Sequence, residues 1–183
     1  PLTFYQTHVP FDFKDYVCII NDPRQNHKYN SLFTVQYLGN VVGGNKVLYL
    51  NLEIEEIKSL IVKSLDENKA IWFGCDVGKF FSRRYGVMDM NMYEFDRFYG
   101  TTFGMSKAER LEYGDSVMTH AMLLTAVDMK GSQTIKWRIE NSWGDKGGDK
   151  GYLLMSDNWF SEYTYEVVVA LTFPQLLDFQ KVN

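Results

Sequence analysis

Thr119-His120-Ala121-Met122-Leu123-Leu124, then Ile135 to Glu140, then Asn141-Ser142-Trp143-Gly144-Asp145-Lys146-Gly147-Gly148-Asp149-Lys150-Gly151-Tyr152, is the stretch that decides how this chain folds. Apolar, β-favouring runs bounded by glycine-rich breakers read as strand, hairpin, strand, loop, strand. The doubled Gly-Asp-Lys-Gly at 144–147 and 148–151 has no Gly-Lys-Ser/Thr ending, so its glycines shape turns rather than cradle a phosphate. With a short helix around Ser156 to Tyr163 and a last strand over Thr164 to Ala170, the C-terminal half reads as a β-meander.

Working back toward the N-terminus, Ile54, Ile57, Leu60, Ile61 and Leu65 recur at helical spacing, with Glu53, Glu55 and Glu56 at the start of the run. The run Ala70 to Cys75 follows as a buried strand ending at Asp76-Val77-Gly78. Phe80 to Asp115 reads as short helices and loops, among which Ser106-Lys107-Ala108-Glu109 fits a capping box. The first fifty residues hold short β-rich runs at Tyr16 to Ile20, Phe33 to Leu38 and Lys46 to Leu52, broken by Asn21-Asp22-Pro23 and Gly43-Gly44. These elements predict an α+β fold: one domain over residues 1–183, with an antiparallel, barrel-like sheet and peripheral helices.

The 183 residues are 45% hydrophobic and 23% charged, enough for a sizeable core without covalent staples. Cys18 and Cys75 are the only cysteines, and their apolar flanks suit reduced, buried thiols of a cytoplasmic protein. A net charge of −4 with no long basic run gives nucleic-acid binding no support, and no stretch has the length of a membrane span. The three histidines, His8, His27 and His120, lack metal-ligand spacing, so no metal or cofactor is expected.

His120 opens an apolar strand, where the backbone ladder holds an imidazole rigidly, and Asn141 ends the next strand across one hairpin. An amide oxygen that accepts from one ring nitrogen fixes the tautomer and leaves the other nitrogen free to exchange a proton with a nucleophile. Trp143 lies two residues on, placed to cover that bond and exclude water. On this pairing alone, a satisfied structural histidine is the commoner outcome, and both readings stay open.

Thr119-His120-Ala121-Met122 and Glu140-Asn141-Ser142-Trp143-Gly144, followed by Lys150-Gly151-Tyr152, resemble the His and Asn regions of papain-like cysteine peptidases. Several further segments extend the likeness: Asn21-Asp22-Pro23-Arg24, His27-Lys28-Tyr29-Asn30, Trp72 to Lys79, Met105 to Leu111 and Trp159 to Tyr163. In that order, across Leu2 to Ala170, they are similar to the family of bleomycin hydrolase and bacterial aminopeptidase C.

The resemblance implies that His120 is the catalytic imidazole, Asn141 its orienter and Trp143 their apolar cover. Thr119, Ala121 and Phe73 would line the substrate cleft, with simple core packing an equal alternative for Phe73. It implies no cofactor, peptide substrates, aminopeptidase activity and a homohexamer with its sites facing an internal channel. The family's thiol opens a long helix in a Gly-Ser-Cys-Trp type motif preceded by a Gln, and neither occurs in this sequence. Cys18 lies within a strand-like run, and Cys75 precedes Asp76, whose charge disfavours a thiolate. The expectation is therefore the C-terminal, His/Asn-bearing half of an enzyme whose cysteine-bearing N-terminal half is a separate segment, with this chain inactive alone; the start at Pro1 fits a piece. A papain-like module that has lost its cysteine and serves binding or assembly is the alternative. The tail from Leu171 to Asn183 departs from the family pattern.

Overall fold

The computed structural model describes residues 1–9, 12–39, 41–44, 46–171 and 176. Most of the tail beyond Leu171 therefore lies outside the described residues, and with it the expected departure there. In chain order the elements are α1 (Leu2–His8), β1 (Tyr16–Ile20), β2 (Ser31–Phe33), β3 (Tyr49–Asn51), α2 (Ile54–Asp66), β4 (Ile71–Cys75), β5 (Phe81–Ser82) and β6 (Val87–Met88). They continue with α3 (Phe95–Tyr99), α4 (Lys107–Glu112), β7 (His120–Lys130), β8 (Gln133–Glu140), β9 (Tyr152–Ser156), α5 (Asp157–Tyr163) and β10 (Thr164–Ala170).

Among the described residues ten strands form a single sheet in the order β2-β3-β1-β10-β4-β7-β8-β9-β6-β5. The α+β expectation holds, but the sheet does not close into a barrel: β2 and β5 are its edges. Nor is it wholly antiparallel, since β1 pairs with β3 and β6 with β9 in parallel. The meander β7-β8-β9 is as expected, whereas β10 leaves it and runs between β1 and β4.

One face of the sheet carries the core. Alternation puts Phe73 and Cys75 of β4, Met122 and Leu124 of β7, Trp137 and Ile139 of β8 and Val167 and Val169 of β10 inside. Ile57, Leu60 and Ile61 of α2 and Trp159 and Phe160 of α5 cover that face. Trp137 is fully buried, stacks on Phe160 at 4.9 Å and donates its indole N–H to Asp157 Oδ1 at 3.1 Å. Truncating a side chain this large and this well partnered costs about 3–5 kcal/mol.

Three buried polar side chains tie the irregular parts to the sheet. Asn51 accepts the Asp22 N–H through Oδ1 at 2.9 Å and donates through Nδ2 to the carbonyls of Asp22 and His27, at 2.9 and 3.0 Å. Asn21 donates to the Leu52 carbonyl at 2.9 Å. Lys107, in the first turn of α4, donates to Asn21 Oδ1, the Ser161 carbonyl and the Thr164 carbonyl at 2.7, 2.8 and 2.6 Å. Burial pulls its pKa down to about 7. The capping box at the start of α4 is present in both directions: Ser106 Oγ accepts from Glu109 N–H, and Glu109 Oε2 accepts from Ser106 N–H.

Candidate active site

Register explains how two residues far apart in sequence meet. β7 and β8 pair with Leu124 opposite Ile139 and Leu123 opposite Glu140. Continuing that count sets Asn141 level with Met122, one pleat repeat from His120, a diagonal distance that side chains of this size can span. His120 shares the side of β7 that points Met122 and Leu124 inward, and Asn141 shares the side of β8 that points Ile139 inward. The imidazole Nε2 and the Asn141 Oδ1 lie 3.0 Å apart, both side chains half-buried.

The amide orientation and the tautomer are both determined. Asn141 Oδ1 also accepts the Ser142 backbone N–H at 2.8 Å, a donor that only an oxygen can satisfy. His120 Nε2 must then carry the proton it donates. Nδ1 is left as the ring's other functional atom, with no hydrogen bond among the described residues. Rotation of the ring is opposed by this bond, while the strand pairing that places His120 opposite Cys75, with Thr119 N–H on the Cys75 carbonyl at 2.9 Å, fixes the backbone that carries it.

Trp143 lies beside the pair, its ring centroid 4.7 Å from that of His120. It lies against the pair while remaining 47% exposed itself. Two residues between β4 and β6 hold it: Phe81, with ring centroids 6.3 Å apart, and Arg83, whose guanidinium carbon lies 5.2 Å over the indole. Neither was found in the sequence, because β5 and β6 are two residues each and too short for any period to register. The loop after Trp143 is held against the same hairpin. Gly148, at φ +61°, approaches Gly86 so closely that a Cβ on Gly86 would lie 2.3 Å from the Gly148 Cα. Gly151 accepts the Asn141 N–H at 3.2 Å.

The remaining expected site residues separate. Thr119 is exposed beside His120, and Ala121 is half-buried on the opposite face of β7, across from Gly74. Phe73 is fully buried in the core, so its cleft-lining expectation gives way to the core-packing one: its position in β4 points it inward beside Met122 and Val167. Asp76 is buried and engaged, accepting from Ser116 Oγ at 2.8 Å and from Thr119 Oγ1 at 3.4 Å.

Both cysteines are free thiols. Cys75 stands directly across the strand pair from His120, yet it is fully buried, and burial together with the neighbouring Asp76 charge pushes its pKa well up. No substrate carbonyl can reach it there. Cys18, in β1, is pushed up to about 11 by burial and by the Glu166 carboxylate beside it. Neither has the electropositive, accessible setting of a thiolate nucleophile. The arrangement is therefore an oriented imidazole with one free nitrogen, able to take a proton from a group that approaches from outside these residues.

A model of the Peptidase C1-like family matches residues 1–176. The chain is 53% identical over 175 residues to bleomycin hydrolase of Homo sapiens, covering 92% of this chain and 38% of that protein. It is 46% identical over 173 residues to aminopeptidase C of Lactobacillus delbrueckii subsp. lactis, covering 94% of this chain and 38% of that protein. The crystal structure of pepw from Lactobacillus rhamnosis superposes with a TM-score of 0.94 at 46% identity, covering 99% of this chain and 41% of that one. The chain thus spans well under half the length of the relatives it matches.

Proposed function

This chain belongs to the Peptidase C1-like family, and from that premise we propose that it is the His- and Asn-bearing C-terminal part of a cysteine aminopeptidase like bleomycin hydrolase and aminopeptidase C. The observation that carries this reading is the 3.0 Å bond from His120 Nε2 to an Asn141 oxygen whose identity the Ser142 N–H fixes. It prepares Nδ1 to accept a thiol proton.

In the intact enzyme a cysteine from another segment loses its proton to His120 Nδ1. The thiolate then attacks the scissile carbonyl, forming a carbon–sulfur bond, and the imidazolium gives its proton to the departing amine as the carbon–nitrogen bond breaks. Water, deprotonated by the same nitrogen, releases the acyl group and restores the thiol. Asn141 keeps Nε2 protonated and the ring aimed, and Trp143 covers their bond. Peptides are the substrates, and the cysteine-bearing N-terminal half is the obligatory partner. A homohexamer and a cytoplasmic location complete the reading. None of the described helices is long and apolar enough to cross a membrane.

The test is turnover of an aminoacyl fluorogenic amide. The full-length parent should be active and lose about 10²–10⁴-fold or more with His120→Ala. Residues 1–183 alone should be inactive. Near-normal turnover without His120, or thiol-sensitive turnover by this chain alone, would overturn the reading.

A further inference from the structure

The proton that His120 delivers goes to the amine of the leaving fragment, so that fragment passes over the imidazole and alongside Trp143. Against Trp143 lies Arg83. We propose that Arg83 is a specificity-determining residue that binds the terminal carboxylate of a short leaving peptide, favouring small peptides with free carboxylates over longer or blocked ones. The inference rests on the peptidase reading and extends it to the side of the substrate that departs.

Distance, unused donors and charge each support it. The two ring contacts, 5.2 Å from the guanidinium to Trp143 and 4.7 Å from Trp143 to His120, keep the guanidinium within about 10 Å of the imidazole. An extended residue spans about 3.5 Å, so the carboxylate of a one- or two-residue leaving group comes within reach, and that of a longer one is carried past. No described residue accepts from the Arg83 guanidinium, which leaves its N–H groups available for a bidentate carboxylate. Arg83 is exposed and has no ion pair among the described residues, while its neighbour Arg84, over Tyr85 at 5.4 Å, adds charge of the same sign. Arg83, Asn141 and Trp143 line a cavity of about 70 Å³, which has room for water but not for a residue, so a substrate carboxylate does not fit inside it.

The experiment compares kcat/KM of the full-length parent on a tripeptide and on the same tripeptide with its C-terminus amidated. An exposed charge pair of this kind predicts a preference of about fivefold for the free carboxylate, collapsing at high salt. Arg83→Gln should bring the ratio to about one, and Arg84→Gln, which removes only the neighbouring charge, should lower it less. A wild-type ratio near one would overturn the proposal. So would an Arg83→Gln variant that loses activity on both peptides together, which would reduce Arg83 to a support for Trp143. Failure to cleave either peptide would overturn the peptidase reading itself.

Discussion

Replacing Asn141 by alanine in the full-length parent isolates what the amide does for the imidazole. Its oxygen holds two donors, His120 Nε2 at 3.0 Å and the Ser142 N–H at 2.8 Å, in a half-buried setting beside Trp143. A hydrogen bond of this type is worth about 1 kcal/mol when the ring is neutral and about twice that when it is an imidazolium. Without it the ring also distributes over two tautomers and two flips, of which about one in four places an acceptor nitrogen toward the thiol. Together these predict a fall in kcat of about 10- to 100-fold with little change in KM, since the amide holds His120 rather than the substrate. The assay is steady-state turnover of an aminoacyl fluorogenic amide beside His120→Ala, which should fall further. An unchanged kcat would refute the orienting role, and a loss equal to that of His120→Ala would show that Asn141 does more than orient.

Gly148→Ala should destabilise the protein by at least about 1–3 kcal/mol in urea unfolding, because its φ is +61° and a Cβ there would lie 2.0 Å from the Tyr152 carbonyl oxygen. Gly147→Ala, with nothing within 4 Å, should be near neutral, and equal effects would count against the tight Gly86–Gly148 approach. Lys107 gives a pH signature. Its pKa is near 7 when folded against 10.5 when free, so between those values the unfolded chain holds more protons and stability contributed at this site rises with pH. The unfolding free energy of the wild type relative to Lys107→Met should therefore climb from pH 7 to pH 9, at no more than about 1.4 kcal/mol per unit. A flat difference would mean that the three oxygens around Lys107 keep the ammonium charged throughout.

Local chemistry made part of this molecule readable from its sequence. The apolar spacing of Ile57, Leu60 and Ile61 marked α2, Ser106 and Glu109 marked the start of α4, and the runs at 16–20 and 70–75 contain β1 and β4. That His120 and Asn141 could meet was legible because each lies at the end of a strand of the same hairpin, while their catalytic roles came only from the family resemblance. What escaped depends on partners distant in sequence. The parallel pairing of β1 with β3 and of β6 with β9, and the insertion of β10 between β1 and β4, keep the sheet open, and no local pattern encodes them. The run expected over Phe33 to Leu38 forms a strand only at Ser31–Phe33, where Tyr49–Asn51 lies opposite to pair with it. α1 has no buried residue and so no apolar stripe to detect. Asn51 and Lys107 are polar by type but buried, and only the acceptors gathered from the 21–28 loop and from 161–164 account for that.

Mass-spectrometric mapping of iodoacetamide labelling in the full-length parent at neutral pH tests the central claim most directly. One cysteine outside residues 1–183 should react rapidly, in a manner lost with His120→Ala, while Cys18 and Cys75 stay unmodified. Rapid His120-dependent labelling of Cys75, across the strand from that imidazole, or a reactive thiol indifferent to His120, would contradict it.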